Sequence, residues 1–287
     1  MMTDLKLVSW NVNGIRSRVF NSKIATQIKG ITEIYPESDS SMHNLITEHS
    51  PDIICLQEIK CEESFADVFK LEGYYSYFNS STLTEARSAN RYSGTALYSK
   101  EKPIKIETTL PLYEDQEGRI MIIYYETFIL INIYAPNSGT NFQNKLLFQD
   151  ALFDFMIHCD QPLAICGDFN IGKDTFFDKS KAPLSPGIYP EELQFYDKLI
   201  EHNFIDALSD DDDVVFTWWN TRSGKITING KLTYTSRHKN LGWRLDYVFT
   251  NNGLSANSRV LKSIGEEHCP HASDHAPILA IIKLNPK

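Results

Sequence analysis

The sequence predicts a layered α/β domain, and three observations predict it. Short apolar runs rich in Val, Ile, Tyr and Phe recur along the 287 residues and end in polar residues. Helix-like stretches lie between these runs, which implies sheets covered by helices. No Pro/Gly/Ser linker and no internal repeat divides the chain, so residues 1–287 read as one domain with a hydrophobic content, 42%, that fills a substantial core.

In chain order the strand candidates are "LKLVSWN" (5–11), "DIICLQE" (52–58), "GTALYSK" (94–100), "IMIIYYE" (120–126) and "FILINIYAPN" (128–137). "PLAICGDFN" (162–170), "WRLDYVFT" (243–250) and "PILAIIKL" (277–284) complete them. Their length and β-branched and aromatic content favour strands over helices. The helical stretches are 42–49, 143–158 and 190–202, and the middle one places Leu147, Ala151, Phe155 and Ile157 or His158 on a sheet-facing stripe. Two stretches read as surface insertions. "GITEIYPESDSS" (30–41) is a polar loop, and "KITINGKLTY" (225–234) is a tight hairpin around Asn229-Gly230, within an insertion spanning 222–239.

The net charge of −9 argues against a protein coated in positive charge. Between Val214 and Leu245, however, there is no Asp or Glu, while Arg222, Lys225, Lys231, Arg237, Lys239 and Arg244 alternate with Trp218, Trp219, Tyr234 and Trp243. That stretch is either a local nucleic-acid footprint or a surface hairpin with a chance imbalance. No membrane-length apolar segment and no secretory signal is present, and the five Cys lack CxxC spacing. Reduced thiols in an intracellular compartment, nucleus or cytoplasm, are expected.

Several strands end in a carboxylate or an amide: Asn11, Glu58, Asp168 with Asn170, and Tyr134 with Asn137; Asp246 sits in "WRLDY". Apolar strands that deliver such groups to one sheet edge assemble a cleft, and so many carboxylates call for a cation. Hard oxygen ligands favour Mg²⁺ or Mn²⁺. "EEHCPHASDHAPI" (266–278) looks like a zinc cage, with His268, Cys269, His271, Asp274 and His275 close together, but reads better as a loop carrying two site residues, Asp274 and His275.

"SWNVNGIR", "DIICLQEIK", "YSGTALYSK", "NIYAPNSG", "ICGDFNI", "GWRLDYVFT" and "SDHAPI" together resemble the exonuclease III-like apurinic/apyrimidinic (AP) endonucleases. These belong to the endonuclease/exonuclease/phosphatase (DNase I-like) superfamily, and the resemblance covers residues 5 to 284 apart from the two insertions. "GDFN" and "SDH" are shared across that superfamily, whereas "LQEIK" with "GWRLDY" points to its DNA-repair branch.

The resemblance implies a four-layer α/β sandwich of two packed mixed β-sheets flanked by helices, and metal-dependent phosphodiester hydrolysis. It implies Glu58 as principal Mg²⁺ ligand with Asn11, Asn13 and Asp274 nearby, and Asp168 beside the metal as the group that activates water. Asn170 holds that water and the phosphate. Tyr134, as phenol or phenolate, and Asn137 contact the phosphate, while His275, oriented by Asp246 and protonated at neutral pH, meets a phosphate oxygen. Trp218, Trp243 and Leu245 would wall a pocket for a flipped-out abasic sugar, although core packing is the commoner fate of such residues. Arg244 and the insertion's Lys225, Lys231, Arg237 and Lys239 are the expected DNA contacts.

The expected activity is cleavage 5′ to an abasic site in duplex DNA by a monomer, with 3′ repair and 3′→5′ exonuclease activity in the same site. The alternatives are an inositol phosphatase, sphingomyelinase or RNA deadenylase of the superfamily, and, in another class, a non-catalytic DNA-binding relative or a zinc module. Asn13, where some relatives carry Asp, and Thr140, where some place Arg, depart from the pattern.

Overall fold

The computed structural model describes residues 4–16, 19–20, 33–62, 68–83, 92–179, 184–208, 215–228, 231–251, 253–264 and 272–284. Strands in chain order are β1 Asp4–Asn11, β2 Ile53–Gln57, β3 Tyr75–Asn79, β4 Thr95–Ser99, β5 Lys105–Glu107, β6 Ile120–Tyr124, β7 Ile129–Tyr134 and β8 Leu163–Asp168. They continue with β9 Ile205–Asp206, β10 Trp218–Trp219, β11 Lys225–Ile228, β12 Lys231–Tyr234, β13 Gly242–Trp243, β14 Asp246–Asn251, β15 Ser255–Val260 and β16 Ile278–Lys283. The helices are α1 Ser41–His49, α2 Phe142–Ile157, α3 Pro190–Glu201 and the single turn α4 Thr235–His238.

Two six-stranded sheets form, ordered β15-β16-β1-β2-β4-β3 and β5-β6-β7-β8-β14-β9. Both are mixed: β1 runs parallel to β2 and β7 parallel to β8, and the other pairings are antiparallel. Period-two alternation splits each strand between two cores. Leu7, Cys55 and Leu97 of the first sheet meet Leu130, Cys166 and Val248 of the second in an inter-sheet core. Val8, Trp10, Ile54 and Tyr98 face outward against Met42 and Leu45 of α1. Ile131, Ile133 and Ile165 face Phe148, Leu152 and Met156 of α2 and Phe195 and Leu199 of α3. Helix, sheet, sheet, helix: the four layers are present.

Three expectations are corrected at element level. The stripe of α2 that meets the sheet is Phe148, Ala151, Leu152 and Met156, whereas Leu147 and Ile157 are exposed, because each lies about 100° round the helix from that stripe. The run 243–250 is split, with Arg244 and Leu245 leaving the ladder between β13 and β14. The stretch 30–41 is more than a surface loop: Ile34 is buried and bridges Phe69, and Ser40 caps α1 by accepting from His43 N. The hairpin forms as β11 and β12, while Asn229-Gly230 lie outside the described residues, as do His268, Cys269 and His271.

Glycine is required at one site-forming point. Gly167 has φ 139°, and a Cβ there would stand 2.0 Å from Ile133 O. Only Gly lets β8 press against β7 immediately before Asp168.

Candidate active site

The strands carry their polar termini to one edge of the sandwich. Glu58, Tyr134, Asn137, Asp168, Asn170, Trp218, Trp243, Leu245, Asp274 and His275 line a single cleft of about 230 Å³, completed by Pro186 and Gly187. Just beyond the strand ends the chain turns through left-handed residues: Asn13 (φ 48°), Glu58 (φ 51°) and Asn170 (φ 49°). Non-glycine residues adopt this region rarely and at a cost, and it breaks the alternation that would send each side chain elsewhere.

Asp168 is fully buried. Its Oδ1 accepts from Asn170 N (2.8 Å) and its Oδ2 from Asn11 Nδ2 (2.9 Å), while His275 Nε2 stands 3.9 Å from Oδ2. Burial pushes its carboxyl up to about 7, against the lowering effect of His275 and these hydrogen bonds. His275 Nδ1 lies 2.8 Å from Asp246 Oδ2. Burial alone would lower its pKa, but the Asp246 carboxylate, with Asp168 and Asp274, raises it to about 10. An imidazolium at neutral pH, as the sequence predicts, is the result.

Residues 273–275, just before β16, are pinned from several sides. Ser273 Oγ donates to Asn11 O (2.7 Å) and accepts from His275 N (3.1 Å), Trp10 Nε1 donates to His275 O (3.2 Å), and Trp218 bridges His275 through the backbone. Thr217 Oγ1 accepts from both Leu245 N and Asp246 N, which fixes Asp246 beneath the histidine.

Asp168, Asp246 and His275 bring ligand atoms within 4.8 Å of one another and form the group among the described residues that can hold an ion. An imidazolium between two ionised carboxylates leaves this group one negative charge in excess, which favours a cation beside it. Glu58 and Asp274 bring two further hard carboxylates into the cleft. Glu58 accepts from the Tyr134 hydroxyl and pairs with Lys60 Nζ at 2.8 Å; Asp274 accepts from Asn13 Nδ2 (2.8 Å) and Trp218 Nε1 (3.0 Å). Two cleft-facing carboxylates flanked by Asn11, Asn13 and Asp168 are a donor set suited to a hard divalent cation.

Tyr134 is held as the phenol: burial, then the Glu58 carboxylate, raise it well above its ordinary value, against the Arg119 guanidinium 4.7 Å from its ring centroid. Asn170 Nδ2 donates to Ala135 O (2.8 Å), and Asn137 Nδ2 reaches Asn170 Oδ1 at 3.4 Å. Trp218 and Trp243 meet edge to face at 5.9 Å, and Phe177 packs on Trp243 at 5.5 Å.

Two expected DNA contacts are turned inward. Arg244 is buried, donates to Asp206 and pairs with Asp174 at 3.3 Å. Arg237 is buried with its guanidinium 4.7 Å from the Trp219 ring and donates to Lys262 O (3.0 Å). Both are anchors of the fold. Lys225 and Lys239 are exposed, and Lys231 enters only through its backbone pairing with Ile228. Sequence reasoning missed Thr217, Ser273, Lys60, Pro186 and Gly187; of these, Ser273 and Lys60 carried a signal, as the first residue of "SDH" and the last of "LQEIK".

Fold and site together define a superfamily: the chain belongs to the Endonuclease/Exonuclease/phosphatase family, whose model matches residues 8–275. Within it, the chain is 28% identical over 281 residues to an exodeoxyribonuclease of Bacillus subtilis, covering 93% of this chain and 97% of that protein. It is 27% identical over 287 residues to the DNA repair nuclease APEX1 of Danio rerio, covering 93% and 81%. The fold matches the crystal structure of an AP endonuclease from Leishmania major with a TM-score of 0.72 at 21% identity, over 99% of this chain and 88% of that one.

Proposed function

We propose that this chain is a monomeric, Mg²⁺-dependent AP endonuclease that hydrolyses the phosphodiester 5′ to an abasic site in duplex DNA and leaves a 3′-hydroxyl. The same site would serve 3′ repair and 3′→5′ exonuclease activity. One observation carries the reading: Asp168 and His275, the latter backed by Asp246, share one cleft with the Trp218, Trp243 and Leu245 walls. At about 230 Å³ that cleft lies below the roughly 300–1,000 Å³ of drug-sized pockets, and so suits a sugar without its base. Extruding such a nucleotide sacrifices no base pair. The names of the bacterial and fish relatives support the same substrate class.

Glu58 and Asp274 would hold Mg²⁺, with Asn11, Asn13 and Asp168 beside them; Mn²⁺ has the same ligand preferences. An ion held there would supply positive charge to the phosphate and to the departing 3′ oxygen. Asp168, with a pKa near neutrality, takes a proton from water, and the second Nδ2–H of Asn170 orients that water. His275 offers Nε2–H to a phosphate oxygen while Asp246 keeps its Nδ1–H engaged. Tyr134 adds a hydroxyl donor.

The test is an abasic-site duplex incubated with Mg²⁺ or with chelator. Wild type is expected to give a 3′-hydroxyl product with Mg²⁺ only, and Asp168→Asn and His275→Ala to lose about 10²–10⁴-fold in kcat. Undiminished cleavage by both variants would overturn the roles, and cleavage of an undamaged duplex at an equal rate would overturn the substrate.

A further inference from the structure

Lys145 is a lysine where the packing calls for a hydrophobe. It lies on the sheet-facing side of α2 beside Phe148 and Leu152, and it is completely buried. Burying an ammonium is expensive, on the order of several kcal/mol even after relaxation, and a methionine would fill the same space without that cost. Nothing in the cleft lining includes it.

What the ammonium touches is the catalytic loop from behind. Its Nζ donates to Phe169 O and reaches Asn170 O at 3.5 Å. The neighbouring carbonyls have other partners: Asp168 O accepts from Ala135 N (2.8 Å) and Ile171 O from the Tyr247 hydroxyl (3.0 Å). The carbonyls of Phe169 and Asn170 are those left behind where β8 departs from the ladder and Asn170 turns to φ 49°. A buried carbonyl without a donor is costly, and a left-handed asparagine persists only when its surroundings over-determine it. Burial lowers the pKa of Lys145 to about 8, against the raising effect of Glu192 and Asp168, so it is largely protonated at neutral pH. Glu192 in turn accepts from Gly187 N (2.9 Å) and Tyr189 N (3.2 Å), so the charges beneath the site also brace the Gly187 wall.

We propose that Lys145 is a positioning residue: its ammonium supplies the missing donor to the Phe169 and Asn170 carbonyls and so holds Asn170 and Asp168 in their working geometry. For its kinetic arm the proposal rests on the phosphodiesterase reading; its structural arm does not.

The experiment compares wild type, Lys145→Met and Lys145→Arg by hydrogen exchange and by kinetics on an abasic duplex. In Lys145→Met, exchange in residues 167–173 is expected to rise at least about tenfold while β1, β2 and β7 keep wild-type protection. The kcat is expected to fall about 10²-fold, the cost of misplaced catalytic groups, with KM within twofold. Arginine, which keeps the charge and donors, should recover most of the kcat. Should the Met variant not fold, Lys145→Gln, polar but too short to reach Phe169 O, gives the same readings. Wild-type exchange in the loop, an unchanged kcat, or a loss confined to KM would overturn the proposal. If wild type leaves the abasic duplex intact, the functional reading fails, and the exchange data still decide the role of Lys145.

Discussion

At the scale of single residues, the site works by opposing shifts. Asp168 carries a pKa raised by burial to about 7, and His275 one raised to about 10 mainly by Asp246. In its proposed role as general base Asp168 must be ionised, so kcat/KM is expected to climb tenfold per pH unit below about 7 and level off above it, and a flat profile from pH 5 to 8 would refute that role. Stability moves in the opposite direction. A carboxyl whose folded pKa exceeds its unfolded one costs stability as pH rises from about 4 through about 7. In chelator, melting of Asp168→Asn should therefore gain on wild type between pH 5 and pH 8. His275 contributes stability that is complete below its unfolded pKa and lost as pH rises through about 10.

Among elements, the strands buried on both faces were legible, since β2, β4, β7, β8 and β14, buried at every position, read as largely apolar runs with few polar residues. Edge strands were not: "YSYFN" and "SANSRV" form β3 and β15 with mixed polar composition, because an edge pairs on one side and stays half-wet. The polar residues at strand ends announced the cleft, whereas Lys145 and Thr217 act on backbone atoms and leave no pattern at the level of residue types. One inter-element device was equally hidden. Asn132 of β7 crosses the inter-sheet core to donate to Leu56 O (3.2 Å) and Ala96 O (3.1 Å) and accepts from Gln57 Nε2 (2.8 Å). Asn132→Leu leaves Gln57 short of a partner and is expected to cost about 1–3 kcal/mol in denaturant unfolding. Gly167→Ala, whose Cβ would collide with Ile133 O, is expected to cost about 2 kcal/mol or more by the same measurement.

Taken as a whole, the molecule is acidic and yet presents a basic flank beside the Trp pocket, where Lys225 and Lys239 are exposed and Arg237 is not. Neutralising both lysines should flatten the dependence of log K for duplex DNA on log salt by about 0.9 for each DNA phosphate that they pair with. Arg237→Ala should instead lower the melting temperature, since it removes a buried anchor. Finally, β16 sits between β15 and β1 in the first sheet, and Asp274 and His275 precede it directly. A nascent chain that has reached only residue 260 holds Glu58, Asp168 and Asp246 but neither the histidine nor the strand that joins β15 to β1. On the roles proposed for Asp274 and His275, a chain terminated before β16 is expected to be disarmed rather than an unregulated cutter.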